Sequence, residues 1–195
     1  MTTYDQEYNK KLVQSFPFLL PRNVWDDSID DDYDYEYTVL DEMPDGWRKA
    51  FGEMMCEEIK QELLRFGKDV LDNYRVLDVK EKYGQLRWYD NGHPIGSNIG
   101  DIIGKYETLS ENICMICGKP DVPMCGSFWI SPFCFRCYLK DDRNRASDWE
   151  NWFDERGSQM SSKYKYTAYT RSGDSKKIVI DISETADKIR KRWTH

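Results

Sequence analysis

Residues 44–67 read PDGWRKAFGEMMCEEIKQELLRFG, and this stretch decides the fold. Trp47, Phe51, Met54, Met55, Ile59, Leu63 and Phe66 recur at helical spacing, with Glu and Lys on the opposite side. Such a stripe belongs to an amphipathic helix that buries one face. Pro44 suits the first turn, where a missing N–H costs nothing, and Gly67 supplies the stop. The sequence predicts a central core helix from about Pro44 to Phe66, with Cys56 inside the stripe as an inert buried thiol.

Other elements follow on either side. Residues 4–15 suit a short helix with Tyr8 and Leu12 on one face, ending before Pro17. Tyr74 to Lys80 and Gln85 to Tyr89 are rich in β-formers and flank Lys82, Tyr83 and Gly84, which predicts a hairpin closed below by Asn91 to Pro94. Ile99, Ile102, Ile103, Tyr106 and Leu109 mark a second amphipathic helix. Beyond the cysteines, Trp149, Trp152 and Phe153 form a helical stripe, and residues 157–162 read as a polar linker. Lys163 to Thr170 and Lys176 to Ile182 alternate around Ser172, Gly173 and Asp174, predicting a second hairpin, and Ser183 can cap a final basic helix.

Four of the six cysteines fall in two pairs, Cys114 with Cys117 and Cys134 with Cys137, spaced C-x2-C-x16-C-x2-C. A two-residue gap lets one tight turn aim both sulfurs at one ion, and two such knuckles complete a tetrahedron. Gly118 relieves the backbone after the first pair, and Lys119 offsets thiolate charge. The alternative, a disulfide framework, suits an oxidising compartment. Cys125 lies between the pairs and either replaces a ligand or packs as a small hydrophobe beside Phe128 and Trp129. The expectation is one structural Zn2+ on Cys114, Cys117, Cys134 and Cys137. Four thiolates leave no open coordination position, so the ion would brace the segment.

Charge is unevenly placed along the 195 residues, whose net charge is -7. Residues 1–47 carry 12 acids and 3 bases, whereas residues 156–195 carry 4 acids and 10 bases. From Asp26 to Glu42 there are nine acids and no base. Asp30, Asp32, Asp34 and Glu36 alternate with Tyr33, Tyr35, Tyr37 and Val39, a period of two that predicts a strand with one carboxylate face. Its charges would recur at about 6.6 Å, a spacing that resembles successive phosphates. This surface is either an ordinary solvated face or a contact for a basic partner, formed by Asp26, Asp27, Asp30, Asp31, Asp32, Asp34 and Glu36.

Several function classes find no support. The longest apolar stretch near the N-terminus, Phe16 to Leu20, is five residues long and holds Pro17, too short for a bilayer span or a secretory core. The expectation is a soluble, intracellular protein with no membrane partner. His93 and His195 are the two histidines, one in a Gly-Pro turn and one at the last position. Neither a phosphate-binding glycine loop nor a nucleophile elbow is present, so no catalytic residue is assigned and no enzyme is expected. The basic C-terminal unit interleaves Lys163, Lys165, Arg171, Lys176 and Lys177 with Tyr164, Tyr166 and Tyr169, a pattern that also suits nucleic-acid binding.

The stretches FPFLLPRNVW (16–25), YTVLDEMPDGWRKAFG (37–52) and KEKYGQLRWYD (80–90), with the CxxCGK knuckle, carry a resemblance over about residues 16–138. The chain resembles an uncharacterised family of small zinc-knuckle proteins from bacteriophages and prophages of Gram-positive bacteria. It is also similar in kind to zinc-containing anti-CRISPR proteins that inhibit the type II RNA-guided DNA nuclease. That resemblance implies a viral anti-defence protein in host–virus interaction, an inhibitor that obstructs guide or target DNA loading through protein–protein interaction. The alternative is a zinc-ribbon nucleic-acid-binding or regulatory module acting through the basic tail. The expected fold is α+β: a small antiparallel sheet packed on the long helix, a four-cysteine zinc-ribbon or treble-clef-like module over 111–140, and a C-terminal β-hairpin plus helix. A domain of residues 1–157 would carry a basic appendage, 158–195.

Overall fold

The computed structural model describes residues 5–23, 25–125, 130–146, 165–169 and 177–193. It is α+β. Helix α1 (Gln6–Ser15) starts at Asp5, whose carboxylate accepts the Tyr8 N–H at 2.6 Å, and ends before the Pro17–Leu19 turn. The central helix runs as α2 (Asp45–Trp47), a π-helical turn (Arg48–Gly52) and α3 (Glu53–Leu64), followed by α4 (Lys68–Asn73). Strands β1 (Val76–Lys82) and β2 (Gln85–Asp90) pair antiparallel. Their two-residue loop, Tyr83 and Gly84, has positive φ at both positions, 56° and 76°, the combination whose twist suits a tight hairpin. Helix α5 (Ile99–Ser110) follows.

The stripe read from the sequence is the core. Trp47, Phe51, Met55, Ile59 and Leu63 are fully buried together with Phe18, Leu19, Leu40, Val79, Leu86 and Ile99. Tyr106 of α5 stacks on Phe51 at 5.3 Å between ring centres and donates its hydroxyl to Glu58 at 2.8 Å. Cys56 is buried in the same cluster, and burial pushes its thiol far above its ordinary range. Phe66 closes the predicted stripe but stands partly exposed, because α3 ends at Leu64 and Gly67 turns the chain away at φ 119°.

After α5 come β3 (Met124–Cys125), paired antiparallel with β4 (Ser131–Pro132), and the short helix α6 (Phe135–Tyr138). Strands β5 (Lys165–Tyr169) and β6 (Lys177–Asp181) also pair antiparallel and lead into α7 (Ser183–Trp193). Ile182, Ala186 and Ile189 belong to the same core as the central helix. Arg190 reinforces that docking with two 2.7 Å bonds to the Asp121 carboxylate. The last helix is therefore built into the body of the protein. The Trp149–Phe153 stripe, the 157–162 linker and the connection between β5 and β6 lie outside the described residues.

Residues 26–37 correct one expectation. They form no strand. The Asp26 side chain takes the Ser28 N–H at 3.0 Å, Asp30 that of Asp32 at 3.3 Å, and Asp34 that of Glu36 at 3.1 Å. Aspartates that bond the backbone two residues ahead make turns and compete with sheet pairing. Tyr35 sits at φ 68°, which an extended chain does not allow. The regular 6.6 Å row of charge from Asp30 to Glu36 is absent, although the carboxylates remain on the surface.

Candidate metal centre

Two knuckles bring the four predicted cysteines together. In the first, the Gly118 N–H bonds to the Cys114 carbonyl at 2.8 Å, and the Cys114 N–H bonds to the Lys119 carbonyl at 2.8 Å. Gly118 has φ 85°, the left-handed conformation that closes the turn and that a side chain would strain. In the second, Cys134 stands immediately before α6 and Cys137 lies within it, with the Tyr138 N–H bonded to the Cys134 carbonyl at 2.8 Å. A bond from the Met115 N–H to the Pro132 carbonyl, 3.0 Å, ties the knuckles to each other.

The sulfurs of Cys114, Cys117, Cys134 and Cys137 all lie within 4.8 Å of one another, and those of Cys117 and Cys134 are 3.7 Å apart. A tetrahedral ion with metal–sulfur bonds of about 2.3 Å requires sulfurs about 3.8 Å apart. The cluster fits such an ion. Cys114, Cys134 and Cys137 are buried around Val122, and all six cysteines of the chain are free thiols. Burial pushes Cys114 up to about 11 and drives Cys137 higher still. Against the same burial, the Cys137 amide and the neighbouring sulfurs pull Cys134 down. A soft divalent ion is bound by the thiolate form of these sulfurs, so its binding would displace their protons. With four sulfurs occupied by one ion, no coordination position remains for a reacting water.

Cys125 is buried on β3, with its sulfur 4.0 Å from the Phe133 carbonyl, and is not one of the four clustered sulfurs. Burial raises its thiol to about 12, as expected of a packing residue. Among the described residues, no other group of three or more His, Cys, Asp or Glu side chains is placed to hold a metal ion. His93 pairs with Asp90 at 3.1 Å in the turn below β2, where Asp90 also accepts the Gly92 N–H and the Tyr74 hydroxyl. These contacts close the hairpin base.

Three residues position the centre, of which the sequence marked Trp47 only as a core residue and Gly84 only as a hairpin turn, and did not mark Gly46. Gly46, in the first turn of the central helix, donates its N–H to the Met115 carbonyl at 2.9 Å. A Cβ there would stand 2.2 Å from the Cys114 carbonyl oxygen and 2.6 Å from the Gly118 nitrogen. Trp47, fully buried, donates its indole N–H to the Ile113 carbonyl at 2.8 Å. On the other side Gly84, at the hairpin tip, lies where a Cβ would meet the Met124 side chain at 2.1 Å and the Ile130 carbonyl at 2.9 Å. The knuckles are keyed into both the helix start and the sheet. A glycine early in a helix has low propensity and asks for a packing reason, which is the signal the sequence offered.

The acids read as a contact surface, Asp26, Asp27, Asp30, Asp31, Asp32, Asp34 and Glu36, are all exposed. Asp27 pairs with Arg22 at 3.1 Å and lies 3.7 Å from the Arg75 guanidinium, and Asp34 accepts the Gln6 amide at 3.0 Å. The segment hangs from the core at its C-terminal root, where the Asn9 amide donates to the Tyr35 carbonyl at 3.0 Å. Among the described residues, no helix is long and apolar enough to cross a membrane. No family model, curated protein or solved structure matches this chain.

Proposed function

We propose that the protein is a zinc-braced, non-enzymatic binding protein that presents the acidic loop of residues 26–37 to a basic partner. The observation that carries this reading is the closed set of four sulfurs, which suits a structural zinc ion and is locked onto the body by Gly46, Trp47 and Gly84. Donor sets of four thiolates select zinc over hard cations, and the order knuckle, short β pair, then a helix entered through the second cysteine pair is that of treble-clef-like modules. With the metal committed to structure, what remains for function is surface.

The acidic loop concentrates seven exposed carboxylates within residues 26–36. Its seven exposed carboxylates face water on a scaffold of turns, so an encounter with a Lys- and Arg-rich protein is steered over a Debye length of about 8 Å. Taken with the phage-protein resemblance, the partner is a host nucleic-acid enzyme, a type II CRISPR nuclease, and binding obstructs its guide or target DNA channel. Among the described residues of the tail, Arg190 is engaged with Asp121 and Asp187, and Lys188 with Glu184, so these two cations already have acidic partners.

The test is a variant with Asp30, Asp31, Asp32, Asp34 and Glu36 changed to their amides. Asparagine still accepts the turn bonds, so stability should move by less than about 0.5 kcal/mol per site. Binding to a type II nuclease should weaken at least tenfold and lose its salt dependence. Undiminished binding, or salt-sensitive retention on DNA and none on the nuclease, overturns the reading.

A further inference from the structure

We infer that metal binding and the presentation of the acidic loop are one coupled equilibrium, transmitted through three consecutive residues, Gly46, Trp47 and Arg48. Gly46 and Trp47 touch the knuckle backbone through the Met115 and Ile113 carbonyls. Arg48, the next residue, opens the π-helical turn, and its side chain is buried. It pairs with Asp41 and donates to the Asn9 side-chain oxygen at 3.4 Å. Asp41 in turn accepts the Thr38 N–H and hydroxyl, each at 2.7 Å, and Asn9 holds the Tyr35 carbonyl. The loop root is therefore held by a guanidinium whose backbone position is set by the knuckle. An insertion that widens a helix to π geometry at this point is the kind of irregularity retained at functional positions.

The contacts at the knuckle tolerate little displacement. Gly46 and Gly118 approach so closely that either Cβ would overlap the other's backbone, at 2.6 and 2.7 Å. When the ion leaves, the knuckles lose the cross-link that joins Cys114 and Cys117 to Cys134 and Cys137, and the helix start rests on a looser surface. Arg48 then loses its fixed position, and Thr38 and Tyr35 lose their anchors. By linkage, a partner that binds the ordered loop tightens metal binding by the same factor. This inference rests on the acidic loop being the contact surface, but its test reads the loop directly.

The experiment uses the full chain with zinc alone as ligand. Amide hydrogen exchange is measured with and without a chelator, and zinc affinity is measured by competition with a chromophoric chelator. Removal of zinc should speed exchange of the Thr38 and Asp41 amides at least tenfold while the Ile59 and Leu63 amides of α3 change less than threefold. Trp47→Phe, which keeps an aromatic side chain but deletes the indole N–H bond to Ile113 and some buried volume, should weaken zinc about tenfold, as non-ligand supports of metal sites do. Gly46→Ala should weaken it more; if that variant does not fold, Trp47→Phe decides. Zinc affinity within threefold of wild type in Trp47→Phe, or unchanged exchange at Thr38 and Asp41, overturns the coupling. A partner that binds equally with and without zinc also overturns it while leaving the proposed function standing. Zinc-dependent loop exchange with no basic partner bound retains the coupling and removes the function.

Discussion

Replacing Asp41 by Asn tests the anchor beneath the acidic loop. Both carboxylate oxygens are in use: Oδ1 faces the Arg48 guanidinium and Oδ2 takes the two bonds from Thr38. An amide must turn its NH2 toward one of these donors. The side chains are only 3% exposed for Arg48 and 14% for Asp41, so water cannot replace what is lost. Arg48 keeps the Asn9 oxygen at 3.4 Å and the face of the Tyr8 ring at 5.8 Å, which offset part of the cost. Removing one partner of a buried pair costs about 3–5 kcal/mol. For a chain of this size that is a fall in Tm of roughly 6–20 °C. Arg48→Met, which removes the charge and keeps a long apolar stem, should cost less, about 1–3 kcal/mol. The double variant should be less destabilised than the sum of the singles by about 2 kcal/mol, because neither unpaired group remains buried. Urea denaturation of the zinc-loaded protein followed by tryptophan fluorescence gives all four values. Strict additivity, or an Asp41→Asn cost under about 1 kcal/mol, refutes the pair as the loop's anchor.

Other outcomes follow from single side chains. Cys125→Ala should keep one zinc per chain while losing on the order of 1 kcal/mol of stability, whereas Cys137→Ser should lose zinc affinity; elemental analysis after dialysis separates the two, and loss of zinc in Cys125→Ala makes Cys125 a ligand after all. Burial first, then the Glu58 charge, raises the Tyr106 hydroxyl far above its ordinary 10, and burial pushes Tyr33 up to about 12. Because the folded values are raised, this stabilisation is complete below pH 10 and declines above it, as the unfolded chain ionises first. The unfolding free energy from urea curves should therefore fall above pH 10 by about 1.4 kcal/mol per pH unit for Tyr106, and by less for the partly exposed Tyr33. Tyr106→Phe should show a correspondingly shallower decline, and an identical pH slope in that variant would remove Tyr106 from the explanation.

Much of the body was legible in the residues. Trp47, Phe51, Met55, Ile59 and Leu63 share one helical face because burial demands it, and the structure buries all five. The hairpin was legible through Tyr83 and Gly84, and the clustering of four sulfurs through cysteine spacing alone, since two short loops fix where their own sulfurs point. What the residues concealed is of two kinds. The alternation at 30–36 looked like a strand, but aspartates at 26, 30 and 34 each bond the backbone two residues on, and this local chemistry yields the same polar pattern without a partner strand. The keying of Gly46 to Gly118 and of Gly84 to Met124 joins positions far apart in sequence; an early-helix glycine points to a close approach, but no local pattern names what it approaches. The last helix joins the core through Ala186 and Ile189, while the polar linker read as a boundary at 157–162 lies outside the described residues.

X-ray absorption at the zinc edge of the purified, fully loaded protein tests the brace most directly. Four sulfur neighbours at about 2.3 Å and no lighter atom in the inner sphere are expected. An oxygen or nitrogen neighbour would open a position for chemistry, and a protein that retains no zinc would take away the brace itself; either result contradicts the account.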